Sequence, residues 1–177
     1  FNENSFIDAK KKVDEQLINF PNSSILYNIL GAIFVAQNQL DKGIESYQKS
    51  IEINSKYAEA YNNLGTALHK LGKINESIKN FNKALSLKKY FPQALNNLGN
   101  AELSLNKPKE SLEYFKKSIR LKPDYAEAFY NAGLASERLG KNDEALDNFF
   151  RSVKIEPNFA EVYNHIGLIF YKNSEYQ

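Results

Sequence analysis

AEAYNNLGTALHKLGKINESIKNFNKAL, residues 58–85, carries two apolar stripes of helical spacing. Tyr61, Leu64, Ala67, Leu68 and Leu71 recur at three and four residues and form one helix face. Ile74, Ile78, Phe81 and Leu85 form a second. Gly72 falls between them, where a helix C-terminus needs a residue that takes positive φ without strain. The stretch therefore predicts two helices of roughly 13 and 14 residues, folded back on each other as a hairpin.

The pattern extends in both directions. Gly65 belongs to a row of five glycines at one constant interval: Gly31, Gly65, Gly99, Gly133 and Gly167. Four residues before each stand Tyr27, Tyr61, Leu95, Phe129 and Tyr163. Small residues follow twelve later (Gly43, Ser77, Ser111, Ala145) and nineteen later (Ser50, Ala84, Ser118, Ser152). An aromatic follows sixteen later at Tyr47, Phe81, Phe115 and Phe149. The break recurs at Asn106 and Gly140. Asp41, Asn75 and Asp143 then open the second helix as expected caps, and Pro108 takes that place in the third unit. A fixed period between about 20 and 50 residues marks a stacked-repeat architecture.

The small residues have a mechanical reason. Helices crossing at close range need a contact without bulk. The expectation is that each glycine faces the small residue twelve later. The aromatic sixteen later then fills the space between adjacent hairpins. Neither helix buries its stripe alone, so each hairpin leans on the next.

Bulk properties narrow the class. The 177 residues are 42% hydrophobic and 25% charged, which fits a folded protein and argues against disorder. A net charge of +2 points to no nucleic-acid partner, and no apolar run is long enough for membrane insertion. The absence of cysteine excludes disulfides, thiol catalysis and Cys-based zinc sites, and fits a cytoplasmic protein.

With these rows in place, the chain resembles the tetratricopeptide repeat: aromatic, two spacers, Leu-Gly, then Ala, aromatic and Pro at fixed offsets. Residues 58–85 and AEAFYNAGLASERLGKNDEALDNF, 126–149, carry the resemblance most fully. It implies an all-α, right-handed superhelical solenoid of antiparallel helix pairs, forming a single array over 1–177. Full repeats would span 24–57, 58–91, 92–125 and 126–159. Residues 1–23 would be the second helix of an earlier repeat, with Ala9, Val13, Leu17 and Pro21 in phase, and 160–177 the first helix of a further one. Both ends fall in mid-pattern. That predicts either a segment of a longer array or self-association through an uncapped end.

The catalytic inventory is thin. There is no glycine-rich phosphate loop and no His-Glu-x-x-His. His69 and His165 lie in different repeats with no acidic partner fixed by spacing. Ser77, Ser111 and Ser118 read as packing residues. The expectation is a non-enzyme with no cofactor and no metal.

The resemblance also implies a concave groove lined by first helices. Its places are filled here by Asn28, Asn62, Asn96, Tyr130 and Asn164 three before the glycine, and by Asn63, Asn97, Asn131 and His165 two before. Thr66 and Asn100 stand one after, and Lys70 and Arg138 five after. These thirteen residues are the candidate site. The groove is nearly neutral and rich in amides. An amide offers two donors and two lone pairs, so it can pair with a peptide's C=O and N–H together. Asn63, Asn97 and Asn131 would form a ladder gripping an extended peptide by its backbone, as in the repeats of O-linked N-acetylglucosamine transferases. The basic clamp used by chaperone-tail binders of the family is not matched. The predicted function is a protein-interaction scaffold for an extended peptide or protein segment. The alternatives are the substrate-recruiting arm of a larger enzyme such as a glycosyltransferase, or a self-assembling array.

Overall fold

The computed structural model describes residues 3–175, with side chains described for 5–171. The described residues form ten helices and no strand. They are α1 (Glu3–Asn19), α2 (Ser24–Ala36), α3 (Leu40–Ile53), α4 (Ala58–Lys70), α5 (Ile74–Leu87), α6 (Pro92–Ser104), α7 (Pro108–Leu121), α8 (Ala126–Arg138), α9 (Asn142–Ile155) and α10 (Ala160–Glu175). The fold is all-α, built from sequential antiparallel pairs. Two compact units divide between Lys89 and Tyr90. The first holds α1 and the hairpins α2/α3 and α4/α5. The second holds the hairpins α6/α7 and α8/α9, followed by α10.

Each hairpin turns on one left-handed residue seven after the glycine: Asn38 (φ 59°), Gly72 (76°), Asn106 (58°) and Gly140 (71°). The next residue's N–H reaches back to the helix it has left, Lys73 to the Leu68 carbonyl at 2.9 Å and Lys141 to that of Ser136 at 3.0 Å. This is the bond that satisfies free carbonyls at a helix end with a left-handed cap. The second helices start less conventionally than expected. Asp41, Asn75 and Asp143 lie inside the first turn, and the capping positions Gln39, Lys73 and Lys141 make no side-chain cap bond. Asp41 and Asp143 still favour the positive end of the helix dipole. Pro108 does open α7, and the displaced Pro92 opens α6 in the same way.

The glycine's partner also differs from expectation. At Gly31, Gly65 and Gly99 the atoms nearest an added Cβ belong to the ring sixteen residues on, at 2.5–2.7 Å, and Gly133 lies closer still to Phe149. The ring lies flush on the glycine, and the expected facing of the small residue twelve later is seen at Gly31, whose Cβ would also meet the Gly43 carbonyl at 3.0 Å. The same ring reaches the next hairpin, as expected. Tyr47 packs with Leu64, Ala67 and Leu68. Phe115 packs with Ala132 and Ala135, and Phe149 with Val162, Ile166 and Ile169. The small residues nineteen after the glycine tie three of the four hairpins internally, the exception being Ala84. Ser50, Ser118 and Ser152 donate to the carbonyls of Ser24, Pro92 and Ala126, the first residues of their own first helices, at 2.7, 2.8 and 2.9 Å.

Candidate functional site

Helix geometry sorts the candidate residues. Each residue turns the helix by about 100°, so a position two before the glycine lies about 160° round from it. Positions one and five after lie at about 100° and about 140°. These share an outward face. A position three before lies only about 60° round, beside the buried glycine face.

The structure follows that division in part. In the first unit Asn62 is buried, 7% exposed, while Asn63, Thr66 and Asn28 are half-buried and Lys70 is exposed. In the second unit Asn96 is fully buried, Asn97 and Asn100 are half-buried, and Asn164 and Arg138 are exposed. Asn131 departs from the rule and is only 6% exposed. Asn62, Asn96 and Asn131 therefore do not line an open groove.

Amide pairs join successive hairpins. Asn63 Nδ2 donates to Asn28 Oδ1 at 3.0 Å, and Asn131 Nδ2 donates to Asn96 Oδ1 at 3.0 Å. Each bond joins the position three before one glycine to the position two before the next. Asn62 Nδ2 in turn donates to Asn63 Oδ1 at 3.4 Å. The sequence reading missed Tyr57 and Tyr125, which precede the first helices and complete these networks. Asn28 Nδ2 donates to Tyr57 Oη at 3.4 Å. Asn96 Nδ2 and Tyr125 Oη donate to the two oxygens of Glu127, at 3.1 and 3.2 Å. Burial, and then the Glu127 charge, push the Tyr125 hydroxyl well above the usual range. The available signal was the recurrence of Tyr at 57 and 125, with Phe at 91 and 159 between and after.

Two acidic residues at matching places behave differently for a readable reason. Glu59 pairs with Lys88 at 2.6 Å, and that bond holds its carboxyl below the usual range. The place of Lys88 in the later repeat is Glu156, so Glu127 turns to Asn96 and Tyr125 instead.

Four of the remaining candidates are also held by neighbours. Thr66 Oγ1 donates to its own helix at the Asn62 carbonyl, 3.0 Å. Arg138 Nη1 donates to the Leu103 carbonyl of the preceding first helix at 2.8 Å, so this base clamps two hairpins together. Tyr130 packs its ring 4.9 Å from Phe159 and 5.7 Å from His165. Burial, followed by Glu161 and Glu137, raises its hydroxyl. His165 does have an acidic partner, contrary to the sequence reading: Nδ1 lies 3.0 Å from Glu137 Oε2, and the imidazole stacks on Phe149 at 5.4 Å. His69 is pushed down by burial. Among the described residues no group of three His, Asp or Glu side chains is placed to hold a metal ion, and no helix is long and apolar enough to cross a membrane.

A family model described as TPR repeat matches residues 31–72 and 138–174, and one described as tetratricopeptide repeat matches 58–91 and 92–125. None of the curated proteins compared with the chain matches it. Among solved structures, MamA is 26% identical with a TM-score of 0.74, covering 90% of this chain and 93% of that one. The Cut9-Hcn1 hetero-tetramer of APC/C gives a TM-score of 0.88 at 21% identity over 96% of this chain and 34% of its own. YrrB, described as a TPR protein with an unusual peptide-binding site, gives 0.72 at 23% identity, covering 94% and 86%.

Proposed function

The chain belongs to the tetratricopeptide-repeat family, whose proteins mediate protein–protein interactions, and we propose that it is a non-catalytic scaffold binding an extended peptide or protein segment along the outward face of its first helices. One observation carries the reading. The face two before and one and five after the glycine is polar and half-buried to exposed on one first helix of each unit. On α4 it is formed by Asn63, Thr66 and Lys70, and on α6 by Asn97, Asn100 and Ser104. An amide has two N–H groups and two lone-pair sites. Asn63 uses one N–H on Asn28 and accepts one bond from Asn62, which orients it and leaves capacity for a peptide group. The fold shared with YrrB is compatible with peptide binding. Burial takes Asn131 out of the ladder. Sequence-independent gripping therefore falls to Asn63, flanked by Lys70, in the first unit, and to Asn97, with Asn100, in the second.

The test selects displayed random peptides on the 177-residue chain and measures them against the combined Lys70→Ala, Asn100→Ala variant. Binding is expected to weaken by about tenfold or more while helical content is kept. Peptides that bind this variant as well as the parent would remove the outward face from the account.

A further inference from the structure

The row two residues before the glycine holds an amide at Asn63 and Asn97, but α10 places an imidazole there, His165. An amide keeps its donors and acceptor across the pH range of cells. An imidazole changes its charge between about pH 5 and pH 8. The second unit fixes this ring on three sides. Phe149 of α9 stacks on it with centroids 5.4 Å apart, and Tyr130 of α8 meets it edge-on at 5.7 Å. Glu137 of α8 takes the third side, its Oε2 3.0 Å from Nδ1. A carboxylate only accepts, so the neutral ring carries its proton on Nδ1 and leaves Nε2 as an acceptor. A second proton turns Nε2 into a donor and adds a positive charge at the same place.

The charges around the ring are unequal. Glu137 touches it, and Glu161 stands one turn before it on α10. Both carboxylates act on the Tyr130 hydroxyl, which burial and then these two charges raise. Glu137, Glu161 and Tyr130 therefore border one half-buried patch with His165. Glu161 is exposed and, among the described residues, enters no salt bridge. The neighbouring base on α8, Arg138, has Nη1 committed to the Leu103 carbonyl at 2.8 Å. α9 meets the ring with the uncharged Phe149. Lys172, seven after His165 on α10, has its side chain outside the described residues.

We propose that Tyr130, Glu137, Glu161 and His165 form a side-chain subsite that takes an arginine of the bound segment and releases it when His165 is protonated. The inference rests on the scaffold reading above and adds the partner's chemistry: an extended segment that carries a guanidinium. A guanidinium is planar and permanently charged, forks onto a carboxylate and stacks on aromatic rings. Glu161 supplies the exposed carboxylate, Tyr130 the ring, and the neutral His165 an acceptor at Nε2. Protonation replaces that acceptor with a like charge. At about 5 Å, under the screening of a protein surface, a like charge weakens binding by about tenfold.

The probe is the peptide acetyl-Ala-Ala-Arg-Ala-Ala-amide, and its control carries citrulline, which keeps the shape of arginine without the charge. Chemical-shift titration of the 177-residue chain, read at the backbone amides of α8 and α10, measures both at about pH 8 and about pH 5.5. At the higher pH the arginine peptide should bind about tenfold more tightly than the citrulline peptide, and about tenfold more tightly than it does itself at the lower pH. His165→Asn, which restores the amide of the other repeats, should make its binding equal at the two pH values. Glu161→Gln, on an exposed side chain that the fold does not need, should bring the arginine peptide down to the citrulline level. The proposal is overturned if neither peptide binds, if citrulline binds as well as arginine, or if Glu161→Gln changes nothing. It is also overturned if the pH dependence is absent, persists in His165→Asn, or is reversed, the last making the subsite a reader of anions. Lys70 and Asn100 lie outside this subsite. Displayed peptides that depend on those two residues would therefore keep the scaffold reading in place even where the arginine peptide fails.

Discussion

Gly99→Ala places one methyl group where α6 meets the Phe115 ring. The new Cβ stands 2.5 Å from Cε1, 2.8 Å from Cδ1 and 3.0 Å from Cζ of that ring. Carbon atoms rest at about 3.5–4.0 Å, so the ring must retreat by about 1 Å. It has little room to do so, being fully buried among Leu103, Leu112, Ala132 and Ala135. Overpacking of this kind costs about 1–3 kcal/mol. Against it stands the helix preference for Ala over Gly, about 1 kcal/mol. The second contribution is shared by Gly167→Ala, where the new Cβ meets nothing within 4 Å. The difference between the two variants therefore isolates the clash. A chain of this size shifts its melting temperature by about 2–4 °C per kcal/mol, so Gly99→Ala should melt about 2–12 °C below Gly167→Ala. Parallel thermal scans by far-ultraviolet circular dichroism measure this. Adding Phe115→Leu to Gly99→Ala should recover part of the loss, because the two sites are in contact. Equal melting temperatures for the two single variants would refute the assignment of the ring as the glycine's partner.

Other perturbations test the remaining contacts. Asn131→Ala strands the buried Asn96 oxygen and should cost about 1–3 kcal/mol in urea unfolding, while Asn164→Ala, on an exposed side chain, should cost almost nothing. Ser118→Ala removes the bond to the Pro92 carbonyl and should cost about 1 kcal/mol, against a negligible change for the exposed Ser86→Ala. Alkaline pH should destabilise the fold: burial pushes the Tyr47 hydroxyl up to about 12, against about 10 in an unfolded chain. Its contribution is therefore complete below pH 10 and is lost as pH rises towards 12. The buried Tyr125 hydroxyl acts in the same direction. Tyr47→Phe should flatten the fall in melting temperature across that window, and an unchanged slope would contradict the assignment.

Much of this was legible before any tertiary contact was known. The positive-φ turn residues Gly72, Asn106 and Gly140 were readable because a left-handed backbone is a local demand that few residue types meet. The burial of Asn62 and Asn96 was also within reach, since three residues before the glycine is about 60° from a buried face. Asn131 was not: it lies at the same angle as Asn63 and makes the equivalent amide bond, yet it is buried where Asn63 is half-buried. Arg138 read as a groove base because its charge is visible in sequence and its bond to the Leu103 carbonyl is not. His165 and Glu137, 28 residues apart, share no repeat offset that would have paired them.

The all-α class, the hairpin and its period follow from the chain's own residue pattern. Helical spacing, turn chemistry and the even recurrence of glycine are properties of the chain read alone. Tertiary structure decided which atom faces which: that a ring is the glycine's nearest neighbour, that half the expected site residues are engaged between hairpins, and that one side of α10 is left open. Those outcomes depend on the distance and rotation between helices, set by all the packed side chains together, and no single row of residues encodes them.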